Sequence, residues 1–300
     1  MHSSSHKVTK EEFTSHPLLA RLLTLPQVPK EIYIKGTLPS VTLDEHGFAT
    51  PRILTIVGSR KHSTYGKDVV NFLVSSLLGE DVIIVSGLAL GIDSLAHKAS
   101  LENNLLTISI PGSGLGKDVI YPRGNLALAS KILETGGVLL SEYSDTTKAE
   151  SWSFPARNRL MAAISDVVLL VEAEVASGTL ITARYALELG KDIGIIPGSI
   201  FSPTSKGVHA LLHDGAIPIC TKEDLFELLH LKPKEVTLDD TPTDLTMHEK
   251  ILYEILAEPC NKDLLLVESA LTASDFMVAL TTLEMKGCIK EAFGEVRRVV

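Results

Sequence analysis

Cysteine is scarce in this chain of 300 residues, which contains three: Cys220, Cys260 and Cys288. They are odd in number and far apart, and no two of them form a CxxC pair. Neither a disulfide framework nor a zinc site is therefore indicated. We predict that all three are small residues of the core.

Histidine pairs give no metal site either. His209 and His213 have the i, i+4 spacing of metal ligands on a helix, but Ala210 stands where an HExxH motif has its glutamate. A zinc site also needs a third protein ligand, and the sequence offers none nearby. We predict no bound metal.

Long hydrophobic runs are lacking as well. The longest apolar runs are the length of a strand, well short of the roughly 20 residues that a membrane span needs. Residues 1–7 are polar and contain no apolar segment of a signal peptide. We expect no membrane insertion and a location in the cytoplasm.

Positive charge is not in excess, since the formal net charge is -9. Its distribution matters more than the sum, because residues 222–300 hold 9 Lys and Arg against 16 Asp and Glu, whereas residues 51–221 hold 14 against 16. The acidity is thus concentrated in the last quarter. The nearly balanced middle still permits a nucleic-acid ligand.

The middle of the chain alternates apolar strands with helical periods. Predicted strands are Ile53–Val57, Val82–Val85, Leu105–Ile110, Gly137–Ser141, Val167–Val171, Ile193–Ile196 and Ala216–Ile219. Predicted helices are Gly66–Leu78, Ile92–Leu101, Asn125–Leu133, Arg157–Ala163, Ser177–Leu189 and Gly207–Leu212. Such strands indicate an α/β fold with a mostly parallel sheet covered by helices on both faces. The loops after the strands then form the ligand crevice.

Four segments are predicted along the chain. Residues 1–50 form a short tail and subdomain, with residues 1–15 disordered and a brief strand at Ile32–Ile34. Residues 51–230 form the main α/β domain, and residues 231–245, which contain Pro233 and Pro242, form a linker. Residues 246–300 are predicted to be a small winged-helix domain.

The winged-helix prediction rests on three helices and a hairpin. They are expected at Thr246–Ala257, with Thr246 as N-cap, at Lys262–Ser269, from Thr272 to Gly287, and at Cys288–Val300 with a turn at Gly294. The third helix would be the DNA reader, but it carries two acids against a single lysine. We therefore expect a module for protein contact or dimer support.

The glycine-rich stretch Gly112–Lys117 does not match a nucleotide loop. A Walker loop would need glycine at Pro111 and serine or threonine at Asp118, and GxGxxG would need glycine at Lys117. ATP hydrolysis is not supported, and no cofactor is predicted.

Arginines and aromatic residues recur together in the predicted loops. Arg60 follows the first buried strand in Gly58-Ser59-Arg60, Tyr121 precedes Arg123, and Phe154 precedes Arg157 and Arg159. Arginine binds phosphate through two hydrogen bonds at once, and aromatic rings stack on bases. These residues favour a nucleotide strand as ligand, with Arg157 and Arg159 clamping its backbone and Phe154 stacking on a base. The alternatives are that the loop of Tyr121 and Arg123 is an ordinary loop and that Arg60 is a surface arginine paired with an acid.

Carboxylates at strand ends suggest two interpretations. Glu142 and Glu172 resemble a hydrolase pair, yet carboxylates that hold loop amides or arginines look the same in a sequence. We favour the second interpretation, because no nucleophile and base complete a site. Asp93 is expected to bind a loop and His97 to be structural, so no catalytic residue is predicted.

These motifs, in this order, resemble the DNA processing protein A family, also called Smf, the single-strand DNA-binding proteins of bacterial transformation and recombination. The resemblance covers about residues 17–225. The motifs that carry it are Gly58-Ser59-Arg60, Ser86-Gly87-Leu88-Ala89, Gly91-Ile92-Asp93, Tyr121-Pro122, Ser141-Glu142, Phe154-Pro155, Arg157-Asn158-Arg159, Ser177-Gly178-Thr179 and Pro197-Gly198.

The resemblance implies an extended Rossmann fold that binds single-stranded DNA without strong sequence preference. It also implies a homodimer that loads a RecA-type recombinase onto the strand, and no enzymatic activity. The DNA-binding positions it implies are Gly58, Ser59, Arg60, Ser86, Gly87, Arg123, Phe154, Arg157 and Arg159. Lys191 and Lys206 are added because they match positions that are usually basic in the family.

Two other functions compete with this one. The nucleoside-phosphate hydrolases that activate cytokinins use a related Rossmann fold with a PGGxGTxxE signature, but Thr182 stands where their glutamate is expected. The other competitor is a sensor domain that binds one mononucleotide in the same crevice.

Overall fold

The computed structural model describes residues 4–231, 244–256, 260–292 and 295–298. The chain divides into two compact units, Met1–Lys232 and Pro233–Val300. Most of the predicted linker, at residues 232–243, and the predicted turn at Gly294 lie outside the described residues.

Nine strands of the first unit, among the described residues, form one sheet. They are β1 His6–Thr9, β2 Glu31–Lys35, β5 Arg52–Val57, β6 Val82–Ser86, β7 Leu106–Ser109, β8 Val138–Ser141, β9 Val167–Leu170, β10 Asp192–Ile195 and β11 Ile217–Pro218. A separate antiparallel pair consists of β3 Thr42–Leu43 and β4 Ala49–Thr50.

The sheet order is β1-β2-β8-β7-β6-β5-β9-β10-β11. All neighbours from β8 to β11 run parallel, and β2 and β1 are added antiparallel at the β8 side. The predicted Rossmann-like sheet is confirmed. Because β5 lies in the middle of the sheet, the loops that follow β5 and its parallel neighbours meet at the carboxyl ends of these strands.

The helices of the first unit connect these strands. They are α1 Pro17–Ala20, α2 Thr64–Ser76, α3 Ile92–Glu102, α4 Leu126–Glu134, α5 Ser153–Ile164, α6 Thr179–Glu188, α7 Pro203–Ala210 and α8 Lys222–Leu228. Short 3-10 helices lie at Lys10–Ser15, Arg21–Thr24, Arg123–Asn125 and Leu211–Asp214.

Alternation along β5 shows how the sheet is buried on both faces. Ile53 and Val57 pack in one apolar cluster with residues of α5 and α6, whereas Leu54 and Ile56 pack in another with residues of α2, α3 and α8. Successive side chains of a strand point to opposite faces, so a strand this apolar requires a helical layer on each side.

The predicted disorder of residues 1–15 is wrong for the described part of that segment. His6–Thr9 forms β1, which pairs with β2, and Phe13 is fully buried in the main core. A single large apolar residue therefore holds the polar segment on the domain, together with main-chain bonds that composition does not reveal.

The second unit contains three helices and a small sheet among its described residues. They are α9 Met247–Ile255, α10 Lys262–Ser269 and α11 Ala273–Met285, with β12 Cys260–Asn261, β13 Ile289–Ala292 and β14 Glu295–Arg298. The sheet order is β12-β14-β13. The three helices and the hairpin are confirmed, and the winged-helix assignment stays a prediction.

The N-cap of α9 shows why the helix begins there. Thr246 accepts a hydrogen bond from the amide of Glu249, and the Glu249 carboxylate accepts one from the amide of Thr246. This reciprocal pair satisfies two amides that the helix itself leaves free.

The cysteine prediction is confirmed only in part. Cys288 is buried, but Cys220 is exposed and Cys260 is partly exposed.

No single helix in the described ranges is long and apolar enough to cross a membrane; by length and composition alone, only the pair α10 and α11, bent by 119°, could do so as a broken span.

A buried ion pair joins the N-terminal subdomain to the sheet. Arg21 and Asp166 lie 2.5 Å apart and are both almost fully buried. Asp166 also accepts bonds from the amides of Ala49 and Ile53, and Arg21 donates to the carbonyl of Ile164. The pair is thus hydrogen-bonded to the end of α5 and to the chain that enters β5, as a buried ion pair requires.

We predict that Asp166→Ala lowers the free energy of unfolding by about 3–5 kcal/mol, because it leaves the Arg21 cation buried without its partner. Urea unfolding measures the change. The control is Lys7→Ala, which breaks the exposed pair of Lys7 and Glu31 and should cost at most about 1 kcal/mol. Similar losses in the two variants would contradict the role given to Asp166.

Candidate functional site

A cleft of about 670 Å³ lies at the edge where the parallel strands end. The loops after β5, β6 and β9 and the start of α5 form its walls. Its lining residues are Val57, Gly58, Ser59, Arg60, Lys61, Ala89, Asp93, Ser151, Phe154, Pro155, Arg157, Asn158, Glu174, Ala176, Ser177, Gly178, Thr179 and Thr182.

An exposed arginine and an aromatic ring, Arg60 and Phe154, line one side of the cleft, and a second aromatic ring packs on Phe154. The guanidinium carbon of Arg60 lies 5.2 Å from the centre of the Phe154 ring. Tyr121, exposed on the loop before Arg123, packs on Phe154 in a tilted arrangement, with the two ring centres 5.6 Å apart. A cation over an aromatic face is attracted by the ring's negative face, so Phe154 orients Arg60 while leaving its donors free for a ligand.

Arg157 lies at the floor of the cleft and is only 4% exposed. Its Nη1 donates to the carbonyls of Gly87 and Ile110, and its Nε donates to the side chain of Asn158. The guanidinium thereby ties the loop after β6 to the end of β7. These hydrogen bonds are made within the protein, two of them to backbone carbonyls and one to the side chain of Asn158.

Gly87 is required at this point. A Cβ built on Gly87 would overlap the guanidinium of Arg157, so the close approach needs a residue without a side chain. Gly112 has a similar relation to Phe154, because a Cβ there would lie 2.6 Å from the Phe154 ring. Two glycines at strand ends thus make room for two site residues.

Asp93 is the acidic group beneath the cleft. It is buried, and it accepts hydrogen bonds from the amides of Gly87 and Ala89, as expected for a residue that binds a loop. Burial raises the pKa of Asp93 above its ordinary value, although Arg157 opposes the shift.

Burial lowers the pKa of Arg157 to about 10, and Asp93 opposes that shift. At neutral pH Arg157 is therefore a cation, and its positive charge lies at the cleft floor with little exposure to solvent.

Arg159 is the second arginine of this motif, and it points away from the cleft. Its Nη2 donates to both carboxylate oxygens of Glu142, at 2.7 and 2.5 Å, and its Nη1 donates to the carbonyl of Gln27. Glu142 thus holds an arginine, as predicted. The pair fixes the middle of α5 to the residue that follows β8, and the bond to Gln27 fixes it to the N-terminal subdomain.

Glu172 acts in the same structural way. It accepts hydrogen bonds from the amide and the hydroxyl of Ser63, which is the N-cap of α2. The prediction that Glu142 and Glu172 hold loop groups in place is confirmed. Their oxygens are engaged inside the fold rather than turned toward a substrate.

His97 is structural, as predicted. Its Nδ1 pairs with the hydroxyl of Thr107, and burial lowers the pKa of His97 to about 3. The ring is therefore neutral at physiological pH and joins α3 to β7.

The structure brings five predicted site residues to the cleft itself: Gly58, Ser59, Arg60, Phe154 and Arg157. Gly87 touches Arg157, and Ser86 lies beneath with its hydroxyl bonded to the carbonyl of Ile56. Arg159 is anchored on Glu142.

The remaining candidates lie farther from this group. Arg123 is exposed two residues after Tyr121 and donates to the carbonyl of Lys117. Lys206 is exposed on α7. Lys191 directly precedes β10, which places it at the opposite edge of the sheet from the cleft. Their roles as ligand contacts stay predictions.

Sequence reasoning missed several residues of the site. Lys61 lines the cleft beside Arg60, and Asn158 donates to the carbonyl of Gly178, which joins α5 to the start of α6. The adjacency of Lys61 to Arg60 was a usable signal. The contact of Asn158 depends on two helices meeting, and no local pattern reports it.

Thr182 occupies the position where the competing hydrolase needs its glutamate. It is buried and lines the cleft on the first turn of α6. A threonine hydroxyl does not act as a carboxylate acid or base at neutral pH. The hydrolase alternative is therefore not favoured.

A family model matches most of this chain. The family model described as DNA recombination-mediator protein A matches residues 8–230.

Curated relatives agree with that match. Protein Smf of Escherichia coli (strain K12) is 40% identical over 209 residues, which cover 70% of this chain and 53% of that protein. DNA processing protein DprA of Bacillus subtilis (strain 168) is 40% identical over 201 residues, covering 67% of this chain and 64% of that protein. The chain thus spans 53% and 64% of the length of these two relatives.

Two solved structures share the fold. DNA processing protein A from Streptococcus pneumoniae has a TM-score of 0.65 at 34% identity, and the match covers 74% of each chain. DNA processing protein A from Helicobacter pylori, whose structure was described for its single-stranded DNA binding mode, has a TM-score of 0.61 at 29% identity. That match covers 77% of this chain and 96% of the other.

We predict that Gly87→Ala lowers the free energy of unfolding by about 1–3 kcal/mol, because the added Cβ displaces the buried, hydrogen-bonded guanidinium of Arg157. Gly124→Ala is the matched control. Nothing lies within 4 Å of a Cβ built there, so it should be neutral or stabilise by up to about 1 kcal/mol. Equal thermal stability of the two variants would contradict this prediction and show that the loop after β6 shifts to accommodate the added Cβ without loss of stability.

Lys191 provides a pH-dependent prediction. Burial, together with the nearby Arg21, lowers its pKa from 10.5 to about 8. Between these values the unfolded chain binds more protons than the folded chain, so the contribution of Lys191 to the free energy of unfolding rises with pH. Urea unfolding at pH 7 and pH 9.5 should show a gain in the wild type relative to Lys191→Met. Parallel pH profiles would contradict this.

Proposed function

Because the chain belongs to the DNA recombination-mediator protein A family, we propose that it binds single-stranded DNA in the cleft at the carboxyl ends of β5, β6 and β9. The proposal further holds that binding is largely independent of base sequence. It also holds that the protein protects the strand and helps to load a RecA-type recombinase onto it.

The observation that supports DNA binding most directly is the combination of Arg60, Phe154 and Tyr121. Arg60 is an exposed cation, and it lies against an aromatic ring whose neighbour is a second exposed ring. A strand of nucleotides presents phosphates and bases side by side. A cation next to stacking rings accommodates both without reading base identity.

The electrostatics of the cleft separate two kinds of arginine. Arg60 and Lys61 are exposed and can exchange water for phosphate. Arg157 is buried beneath them beside Asp93, and its hydrogen bonds to the carbonyls of Gly87 and Ile110 hold the loops of the cleft in position. In this proposal Arg60 makes the phosphate contact, whereas Arg157 and Arg159 keep the walls in place.

The cleft acts by binding rather than by chemistry in this proposal. The two carboxylates at strand ends are engaged by Ser63 and Arg159, and Asp93 is held by backbone amides. A group committed to internal bonds is a poor general base, since it must break them to accept a proton.

The later steps of the proposal rest on family membership. Recombinase loading and a homodimer are inferred for a cytoplasmic protein, and the acidic module from Pro233 onward is assigned to protein contact. Deletion of that module tests its role separately from the cleft.

We predict that Arg60→Ala weakens binding of fluorescent oligo-dT at every sequence tested and flattens its salt dependence. Loss of one phosphate contact should reduce the slope of log affinity against log salt by about 0.7. Fluorescence anisotropy across a salt series measures both quantities. Lys131→Ala removes an exposed cation from the last turn of α4 and should leave the slope unchanged.

Two results would overturn the proposal. One is the absence of oligo-dT binding at low salt together with binding or hydrolysis of a mononucleotide, which would favour the sensor or the hydrolase. The other is an unchanged slope in Arg60→Ala, which would place the phosphate contacts elsewhere. Lys191→Gln and Lys206→Gln in the same assay decide whether these lysines take part.

A further inference from the structure

A second aromatic pair lies beside the first at the same edge of the sheet. Tyr143 follows β8, Trp152 directly precedes α5, and their ring centres are 5.7 Å apart in an edge-to-face arrangement of 84°. Tyr143 is partly buried. Trp152 is 60% exposed, so a large part of its indole faces solvent.

Trp152 is held in place rather than lying on a free loop. The next residue, Ser153, donates its hydroxyl to the carbonyls of Gly112 and Glu150 and accepts a bond from the amide of Glu150. Ser153 is buried. These bonds fix the start of α5 to the loop after β7, and they fix the backbone that carries Trp152.

The position of Trp152 continues the cleft. Ser151 lines the cleft, and Phe154, two residues beyond Trp152, forms its aromatic wall. In the sheet order β8-β7-β6-β5, Arg60 follows β5 and Tyr143 follows β8. The ends of β5 and β8 are three strand spacings, or roughly 15 Å, apart. Phe154, which contacts Arg60, and Trp152, which contacts Tyr143, are two residues apart in the chain and connect these two positions.

The charges around Trp152 suit a base better than a phosphate. Glu142 is neutralised by Arg159, and the exposed Lys148 and Glu150 carry opposite signs. Because the surface around Trp152 has no net positive charge, it offers a ring for stacking and little attraction for the DNA backbone.

We propose that Trp152, supported by Tyr143, is a second stacking platform for a base of bound single-stranded DNA. The DNA strand then runs from Arg60 and Phe154 across the carboxyl ends of the parallel β-strands toward β8. The proposal rests on the function proposed above. It adds the path of the DNA strand and a residue that binds DNA without neutralising a phosphate.

Trp152 is the single tryptophan of the chain, so its fluorescence reports on this position alone. Addition of unlabelled oligo-dT to the full chain should quench its emission, with the same midpoint as anisotropy of labelled oligo-dT. Trp152→Leu should weaken binding by about 5- to 150-fold, the fold-change of roughly 1–3 kcal/mol for one stacked base. Unlike Arg60→Ala, it should leave the salt slope unchanged.

Two variants serve as controls. Trp152→Tyr keeps a stacking ring and should restore most of the affinity. Leu78→Ala removes another exposed apolar side chain, beyond the last turn of α2 at the opposite edge of the sheet, and should bind like the wild type. Equal thermal stability of the variants confirms that each is folded.

The outcomes separate this inference from the proposed function. If oligo-dT binds and Trp152→Leu retains wild-type affinity, the second platform is wrong and the proposed function stands. If the wild type does not bind, both fail. If Trp152→Leu instead abolishes self-association in sedimentation velocity at unchanged DNA affinity, Trp152 belongs to a protein interface and the inference is overturned.

Discussion

The hydrogen bonds of the buried Arg157 guanidinium are the constraint on which the cleft depends. A cation removed from water needs partners, and the carbonyls of Gly87 and Ile110 supply them at the ends of two neighbouring strands. The loop after β6 can approach only because residue 87 has no side chain. One arginine thus determines how close two loops lie, and Asp93 balances its charge from beneath.

The arginines of the site therefore divide by exposure rather than by sequence motif. Arg157 and Arg159 make their hydrogen bonds within the protein, and these bonds position α5 so that its first residues reach the strand ends. Arg60 lies on a loop that leaves its guanidinium in solvent against the Phe154 ring. In the proposed function, a ligand contacts Arg60, whereas Arg157 and Arg159 hold α5 and the neighbouring loops in position.

Much of this fold follows from local sequence, and the reasons for the exceptions are physical. The strands of the parallel sheet are apolar because both faces are buried, so periodicity and length located them. β1 was not predicted because its polar residues pair through main-chain atoms at the edge of the sheet.

The direction in which an arginine side chain points cannot be predicted from the local sequence either. Arg60, Arg157 and Arg159 look alike as motif residues, and only the topology that brings Gly87, Ile110 or Glu142 within reach distinguishes them. Lys191 was proposed as a ligand contact, yet the chain places it before a strand rather than after one.

The two ends of the large sheet have a consequence for assembly. At one end β1 is short and carries Lys7, and it covers the main-chain groups of β2. At the other end β11 has two residues and finishes at Pro218, which has no amide hydrogen to donate. Short, charged or proline-containing edges resist the addition of a further strand. Within the described part of this sheet, a second copy of the chain thus finds little backbone to extend, and a homodimer would have to form through side-chain surfaces instead of a continuous intermolecular sheet.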